Sequence, residues 1–241
     1  MATDREALGT LLDPSQHGSA RVAIGKVLHW HYRLFHRARH DRAVLERICN
    51  LPLVIMPGVL NPRLMRTGKF FASRLTPELL AGDAEVLDMG TGSGVCAIAA
   101  AQYVRRVVAV DIDETAVRCA TLNVLLNRAE RQIEVLSGDL FAPLAGRRFH
   151  VILFNPPFVR GKPRSDADRA WRSLDIAERF AAELAGHLRP GGYALVLLST
   201  YGDAGSFVQE FRRRRFAVAV VSERSFVNEK LALLKVTPCV R

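Results

Sequence analysis

From Glu85 onward, short apolar runs bounded by turn residues alternate with longer stretches whose apolar positions recur at helical spacing. The runs Glu85–Asp88, Val107–Asp111, Ile133–Leu136, Val151–Asn155 and Tyr193–Ser199 are mostly continuous, as in strands covered on both faces. Residues 95–102, 114–127, 168–188 and 205–214 predict the helices between them. This alternation predicts an α/β fold, a parallel sheet with helices on both sides. The last two runs, Phe216–Val221 and Leu231–Val236, are joined by a polar stretch without helical pattern. They predict an antiparallel hairpin at the edge of the sheet.

The first 84 residues read differently. Residues 1–20 are polar; from Arg21 the positions Ile24, Val27, Leu28, His31, Leu34, Phe35 and Ala38 form one helical stripe. His29, Arg33, His36, Arg37 and His40 occupy the other face, and Val44, Leu45 and Ile48 continue as a second helix or the tail of the first. Proline and glycine dominate from Leu51 to Thr67, predicting a linker or lid. Thr76-Pro77-Glu78 has the form of a helix start with proline at the first helical position, after a Lys69–Leu75 segment that can itself be helical. The expected organisation is a small helical extension over residues 1–55 and an α/β domain over 56–241.

Charge adds one feature to this picture. The 241 residues carry a net charge of +10, and residues 21–47 hold seven Arg/Lys against two acids, half of that excess. Arg212–Arg215 forms a second cluster. A basic surface suits RNA, the ribosome or anionic lipid, and equally an ordinary solvated face. The start of the chain lacks the basic-then-apolar pattern of a signal peptide, and no apolar run could span a bilayer, so a cytoplasmic location is expected. Cys49, Cys96, Cys119 and Cys239 have no paired spacing and predict reduced, buried thiols. His29, His36 and His40 lack neighbouring carboxylates or cysteines, so no metal site is expected. Trp30 and Tyr32 read as core residues rather than base-stacking ones, and Arg160-Gly-Lys-Pro-Arg164 as a loop that is solvated or touches an acidic substrate.

The informative chemistry lies at the strand ends. Asp88-Met-Gly-Thr-Gly-Ser-Gly94 is a glycine-rich turn between a strand and a small-residue helix, where backbone can approach a nucleotide-like ligand closely. Gly90, Gly92 and Gly94 have GxGxG spacing, not the GxGxxG of dinucleotide enzymes, which argues against a nicotinamide cofactor. Asp111 ends the next strand, where a carboxylate can accept from ribose hydroxyls, and Ile112 can cover an adenine face. Gly138-Asp139-Leu140 ends the third and offers an acceptor to an exocyclic amine. These residues suit a ligand with ribose and adenine but no pyrophosphate. Asn155-Pro-Pro-Phe158 ends a fourth strand and sets an amide side chain and a proline-restrained carbonyl at the mouth of the same sheet.

In order and wording, Asp88–Gly94, Val110-Asp-Ile-Asp113, Ala120-Thr-Leu-Asn123, Gly138-Asp-Leu140 and Asn155-Pro-Pro-Phe158 resemble the motifs of class I S-adenosylmethionine-dependent methyltransferases. The Asn-Pro-Pro-aromatic motif is similar to that of the amino-methylating branch, and the whole resembles the HemK family of glutamine N5-methyltransferases over residues 56–238. Phe158 stands where that family often has tyrosine, and the first fifty residues do not resemble its substrate-holding helical bundle. The resemblance implies a Rossmann-like, seven-stranded, mostly parallel sheet with a reversed terminal hairpin. It implies S-adenosylmethionine as cofactor, leaving S-adenosylhomocysteine. Cofactor-binding positions by this resemblance are Thr67 in the lid segment, Gly90, Thr91, Gly92 and Gly94 on the turn, and Asp88, which orients the loop or the cofactor amino group. Asp111 takes the ribose, and Asp139 with Leu140 the adenine, one face of which Ile112 can cover. Asn155, which the resemblance also counts among the cofactor-binding positions, and Pro156 would accept from the target NH₂, followed by Pro157, with Phe158 packed on its planar group.

The expected activity is methyl transfer to an amide or amino nitrogen, first a protein glutamine of a translation-linked substrate. RNA or DNA amino groups, adenine N6 or guanine N2, and small-molecule amines are the alternatives; an activating subunit is compatible with the sequence, and the intact Asn155 motif counts against a non-catalytic cofactor-binding adaptor for RNA or a membrane surface.

Overall fold

The structure, a computed structural model, describes Gly9 and residues 42–144, 146–157, 159–161, 172–226 and 229–239. The helix expected from Arg21 to His40, its histidines, Trp30 and Tyr32, residues 162–164 of the basic loop, and Phe158 lie outside the described residues. Among the described residues no helix is long and apolar enough to cross a membrane.

The chain enters through an antiparallel pair, β1 (Val44–Ile48) and β2 (Leu51–Ile55). The sequence pattern instead predicts a helix over Val44–Ile48 and a linker or lid from Leu51. The two-residue turn between the strands is Cys49-Asn50, with φ of 50° and 65°, and Leu51, Leu53 and Ile55 alternate inward. Pro52 is tolerated because β2 pairs with β1 alone among the described strands. The segment after it leads into α1 (Thr67–Ala72). Thr76-Pro77-Glu78 starts no helix: the N–H groups of Leu79 and Leu80 both bond to Thr76 O, and the chain then turns toward the next strand.

The main sheet has seven strands: β3 (Glu85–Met89), β4 (Arg106–Asp111), β5 (Ile133–Ser137), β6 (Phe149–Phe154), β9 (Leu188–Ser199), β10 (Phe216–Ser225) and β11 (Lys230–Pro238). Their spatial order is β10-β11-β9-β6-β3-β4-β5. The first five in sequence are parallel; β11 runs antiparallel between β9 and β10, as the polar link between the last two apolar runs predicted. Short β7 (Val159–Arg160) and β8 (Arg172–Ser173) pair separately in parallel. The helices between strands are α2 (Val95–Ala100), α3 (Glu114–Leu126), α4 (Ile176–Leu184) and α5 (Ala204–Arg213). Helix α4 is shorter than the expected 168–188, beginning at Ile176 and passing into a 3₁₀ turn at Ala185–His187.

Period-two side-chain alternation on strands buried from both sides generates two cores. Val86, Val107, Ala109, Val151 and Leu153 face α1, α2, α3 and the β1–β2 pair. Leu87, Val108, Val110, Ile152 and Phe154 face α4 and α5. In the second core the Phe154 ring lies 4.3 Å from that of Phe180, which also contacts Phe211. Each such ring, removed from water, contributes on the order of 2–3 kcal/mol, and Phe154 thereby fixes the strand end that carries Asn155. Two thiols, Cys96 and Cys119, are buried as expected; Cys49 is half-buried and Cys239 is exposed, because it follows the last strand.

Candidate active site

Chain order reverses across β3: β4 and β5 continue on one side of it and β6 lies on the other. Crevices outside the carboxyl ends of strands form at such a point. Here one cleft is bounded by the turn after β3, the ends of β4, β5 and β6, the segment 58–68 and the start of α4.

Its floor is the glycine-rich turn. Gly90, Thr91 and Gly92 line the cleft. The Gly92 N–H donates to Asp111 Oδ2 at 2.8 Å, tying the turn to β4. Gly94 stands behind the turn, with φ of 81° at the N-terminus of α2 and an added Cβ 3.3 Å from Ala120 Cα in α3. Asp88 also lies behind it, buried, where one oxygen accepts from Thr91 Oγ1 at 2.7 Å and from Ala97 N–H at 3.0 Å. Burial pushes its carboxyl up to about 7, against the pull of those two hydrogen bonds. Its contacts make it the support of the loop.

Asp111 and Ile112 form one wall. The other carboxylate oxygen of Asp111 accepts from Asp113 N–H at 3.0 Å, and Asp113 in turn caps α3 by accepting from Thr115 N–H. Burial raises the Asp111 carboxyl as well. Each oxygen keeps a lone pair beyond its backbone amide, so a diol remains an acceptable partner. Ile112 is 46% exposed, an apolar side chain presented at the rim. Asp139 and Leu140 close the far end, and Arg179 Nη2 donates to Asp139 Oδ2 at 2.5 Å. The opposite wall is Thr67, Gly68, Met65, Pro62 and Leu60, with Ile176 from α4 completing the lining.

Asn155 and Pro157 reach the cleft beyond the end of β6, with Pro156 buried between them. The buried Asn155 Oδ1 has no hydrogen-bond partner among the described residues. Leaving such an acceptor unpaired costs about 1–3 kcal/mol. Neither proline has an N–H, and a residue before proline is held extended, so this segment offers acceptors and no backbone donor at positions 156 and 157. Among the described residues no group of His, Cys, Asp and Glu could hold a metal ion.

The motifs thus reached the turn and the strand ends but not Leu60, Gly68, Ile176 or Arg179. Their signal was weak. The lid residues sit in a proline-rich stretch without periodicity, and the partner of Arg179 is distant in sequence.

The family model of the methyltransferase small domain matches residues 53–218, more than half the chain. The chain belongs to that family. The methyltransferase resemblance read from the motifs is therefore borne out. Among curated relatives, the release factor glutamine methyltransferase of Gloeobacter violaceus is 32% identical over 179 residues, 68% of this chain and 62% of that protein. The ribosomal RNA small subunit methyltransferase C of Alcanivorax borkumensis is 33% identical over 150 residues, 62% of this chain and 42% of that protein. The chain therefore spans less than two thirds of either relative. Among solved structures, the 16S rRNA N2 G1207 methyltransferase of T. thermophilus, in complex with AdoMet and guanosine, superposes with a TM-score of 0.57. It is 22% identical, and the superposition covers 82% of this chain and 50% of that one. The likeness supports the Rossmann-like methyltransferase fold that the strand order displays.

Proposed function

We propose that this methyltransferase-family chain is an S-adenosylmethionine-dependent N-methyltransferase whose acceptor is a protein glutamine side chain. The observation that carries the reading is Asn155 Oδ1, a buried acceptor without a partner among the described residues, in the wall of the cleft. An unpaired acceptor there calls for a donor from the substrate, and a primary amide or amine has two N–H groups to give.

The residues present fit the cofactor. Gly90 and Gly92 leave the floor open, Asp111 keeps acceptor capacity for a ribose diol, Ile112 presents an apolar face, and Asp139 offers a carboxylate at the adenine end. S-adenosylmethionine supplies an activated sulfonium methyl, so neither a metal nor a covalent enzyme intermediate is needed. The chain supplies position. An amide nitrogen is a poor nucleophile because its lone pair is delocalised. Asn155 Oδ1 and the Pro156 carbonyl, accepting its two hydrogens, favour a pyramidal nitrogen and aim its lone pair at the methyl. Orientation of this kind contributes up to about 7–11 kcal/mol in well-aligned systems. The tandem prolines keep backbone donors from competing at this point.

Glutamine is preferred over a base amino group because the motif wording and the release factor relative point the same way. The net charge of +10 and the ribosomal RNA relative favour RNA as the second reading. Either acceptor is consistent with a translation-linked substrate. The test follows methyl label from S-adenosylmethionine into a lysate separated into protein, RNA and small-molecule fractions, beside an Asn155→Ala control. Asn155-dependent label in protein, mapped to glutamine, supports the proposal. Label in RNA replaces it with base methylation, label in small molecules alone removes the macromolecular acceptor, and binding without transfer points to a missing partner or a non-catalytic adaptor.

A further inference from the structure

The ion pair between Arg179 and Asp139 joins helix α4 to the segment after β5 at the far end of the cleft. Asp139 follows β5, whose link is held by Gly138 N–H bonding to Asp111 O. Arg179 lies one helical turn beyond Ile176, and Ile176 itself lines the cleft. The i, i+3 spacing puts both side chains on one face of α4, turned toward the end of β5. The guanidinium occupies Asp139 Oδ2 at 2.5 Å; Oδ1 takes no hydrogen bond from a described residue. Both side chains are 41% exposed, so the pair by itself contributes little to stability. Its consequence is geometric.

We infer that Arg179 is a positioning residue for cofactor selection: by holding Oδ2, it fixes the orientation of the Asp139 side chain, with Oδ1 turned to accept from a 6-amino purine and to repel a 6-oxo purine. This rests on the cofactor reading proposed above. A free aspartate rotates, hydrates and meets either purine with similar cost. One pinned from behind by a planar, permanently charged guanidinium keeps one acceptor at one place. A 6-amino group gives that acceptor a proton. A 6-oxo group sets a lone pair against it and leaves the carboxylate desolvated without a donor, the circumstance in which polar sites discriminate most strongly.

Ile112 and Leu140 do not share this role, because apolar contact cannot distinguish an amine from a carbonyl of the same size. Asp175 and Glu183, the other acids whose charge acts on Arg179, are on or beside α4.

The experiment measures the Kd of S-adenosylhomocysteine and of S-inosylhomocysteine by titration calorimetry for the full-length wild type, Arg179→Met and Arg179→Lys. Melting temperatures recorded alongside establish that each variant is folded. The wild type is expected to prefer the adenosyl compound by roughly ten- to hundredfold, the worth of one hydrogen bond to a charged group. Arg179→Met is expected to keep adenosyl binding, weakened, while the preference collapses to about threefold or less; Arg179→Lys restores part of it, as a point charge without the fork. A preference that survives in folded Arg179→Met overturns the inference and leaves the pair a surface contact. A wild type that binds neither compound overturns the cofactor reading, and this inference with it.

Discussion

Asn123 and Val54 exchange two hydrogen bonds: the Val54 N–H donates to Asn123 Oδ1 at 2.7 Å, and Asn123 Nδ2 donates to Val54 O at 2.8 Å. The side-chain amide of α3 thus pairs with β2 as a neighbouring strand would. The same nitrogen donates to Ser93 O at 2.9 Å, inside the glycine-rich turn. One fully buried residue therefore locks the β1–β2 pair, α3 and the floor of the cleft together. Asn123→Ala leaves one N–H and two carbonyl groups without this partner, at about 1–3 kcal/mol for each that water cannot reach. We expect the variant to lose about 2–4 kcal/mol in urea unfolding. Asn123→Asp is expected to be no better, since a carboxylate cannot donate to Val54 O and Ser93 O. A loss below about 1 kcal/mol for both would show that the pair docks without this side chain.

Stability should also depend on pH through Asp88. Its carboxyl is raised to about 7 in the folded chain by burial, from an ordinary value of 3.8. The native state therefore holds a proton that the unfolded chain releases between these values. The associated stability is fully present below the unfolded value, falls as pH rises, and is lost above about 7. The full swing is on the order of 4 kcal/mol, and Asp111, raised by the same cause, adds in the same direction. Asp88→Asn mimics the protonated acid and still accepts from Thr91 and Ala97. We expect its unfolding free energy to vary less than that of the wild type between pH 4 and 7, which denaturant titrations across that window would establish. An identical slope in both proteins would place the pH dependence elsewhere.

The strand ends were legible because their chemistry is local. A glycine-rich turn, an aspartate after four apolar residues and an Asn-Pro-Pro step each state their geometry within a few positions, and the sheet brings them to one edge. The β1–β2 pair was not legible for the converse reason. Cys49-Asn50 makes a two-residue turn at positive φ without the glycine that usually announces one, and Pro52 argues against a strand. What holds the pair is long-range: Asn123 on Val54, and Asn127 Nδ2 on Pro52 O at 2.9 Å. Thr76-Pro77 carries a helix-start signal that the chain does not continue: it makes a single turn, with the Leu79 and Leu80 N–H groups both on Thr76 O. The contact of Arg179 with Asp139 spans forty residues, and only the fold discloses it.

Two glycines of one turn should fail differently. Gly94 has φ of 81° and an added Cβ would stand 3.3 Å from Ala120 Cα, backbone that cannot swing aside. Gly92 has φ of 56° and nothing within 4 Å of an added Cβ, on the floor of the cleft. We expect Gly94→Ala to cost about 2–3 kcal/mol of stability through strain and the parting of α2 from α3. Gly92→Ala should cost only about 1 kcal/mol for the left-handed backbone. Its new methyl enters the space that a ligand would take, so S-adenosylhomocysteine affinity should fall about tenfold or more, near the worth of one displaced contact. Thermal unfolding and calorimetry on both variants separate the effects. Equal melting temperatures for the two would contradict the assignment of Gly94 to packing.

Asn155 should show stability and activity moving in opposite directions. Its Oδ1 is buried without a partner among the described residues, so the native state carries a cost that a substrate N–H would relieve. Truncation to alanine removes that acceptor along with the packing of a side chain already partly exposed. We expect Asn155→Ala to unfold at the same temperature as the wild type or above it. Methyl transfer, assayed with the lysate fraction that the wild type labels, should fall by roughly 10²–10³-fold, the range for one lost polar group at a reacting centre. Cofactor affinity should change by no more than about threefold, because the walls proposed to face ribose and adenine are untouched. Asn155→Asp extends the test: it retains an acceptor but brings a charge into a half-buried site, and should transfer poorly while melting lower. Reduced stability in Asn155→Ala with unaltered transfer would make Asn155 a structural turn residue and withdraw it from the acceptor site.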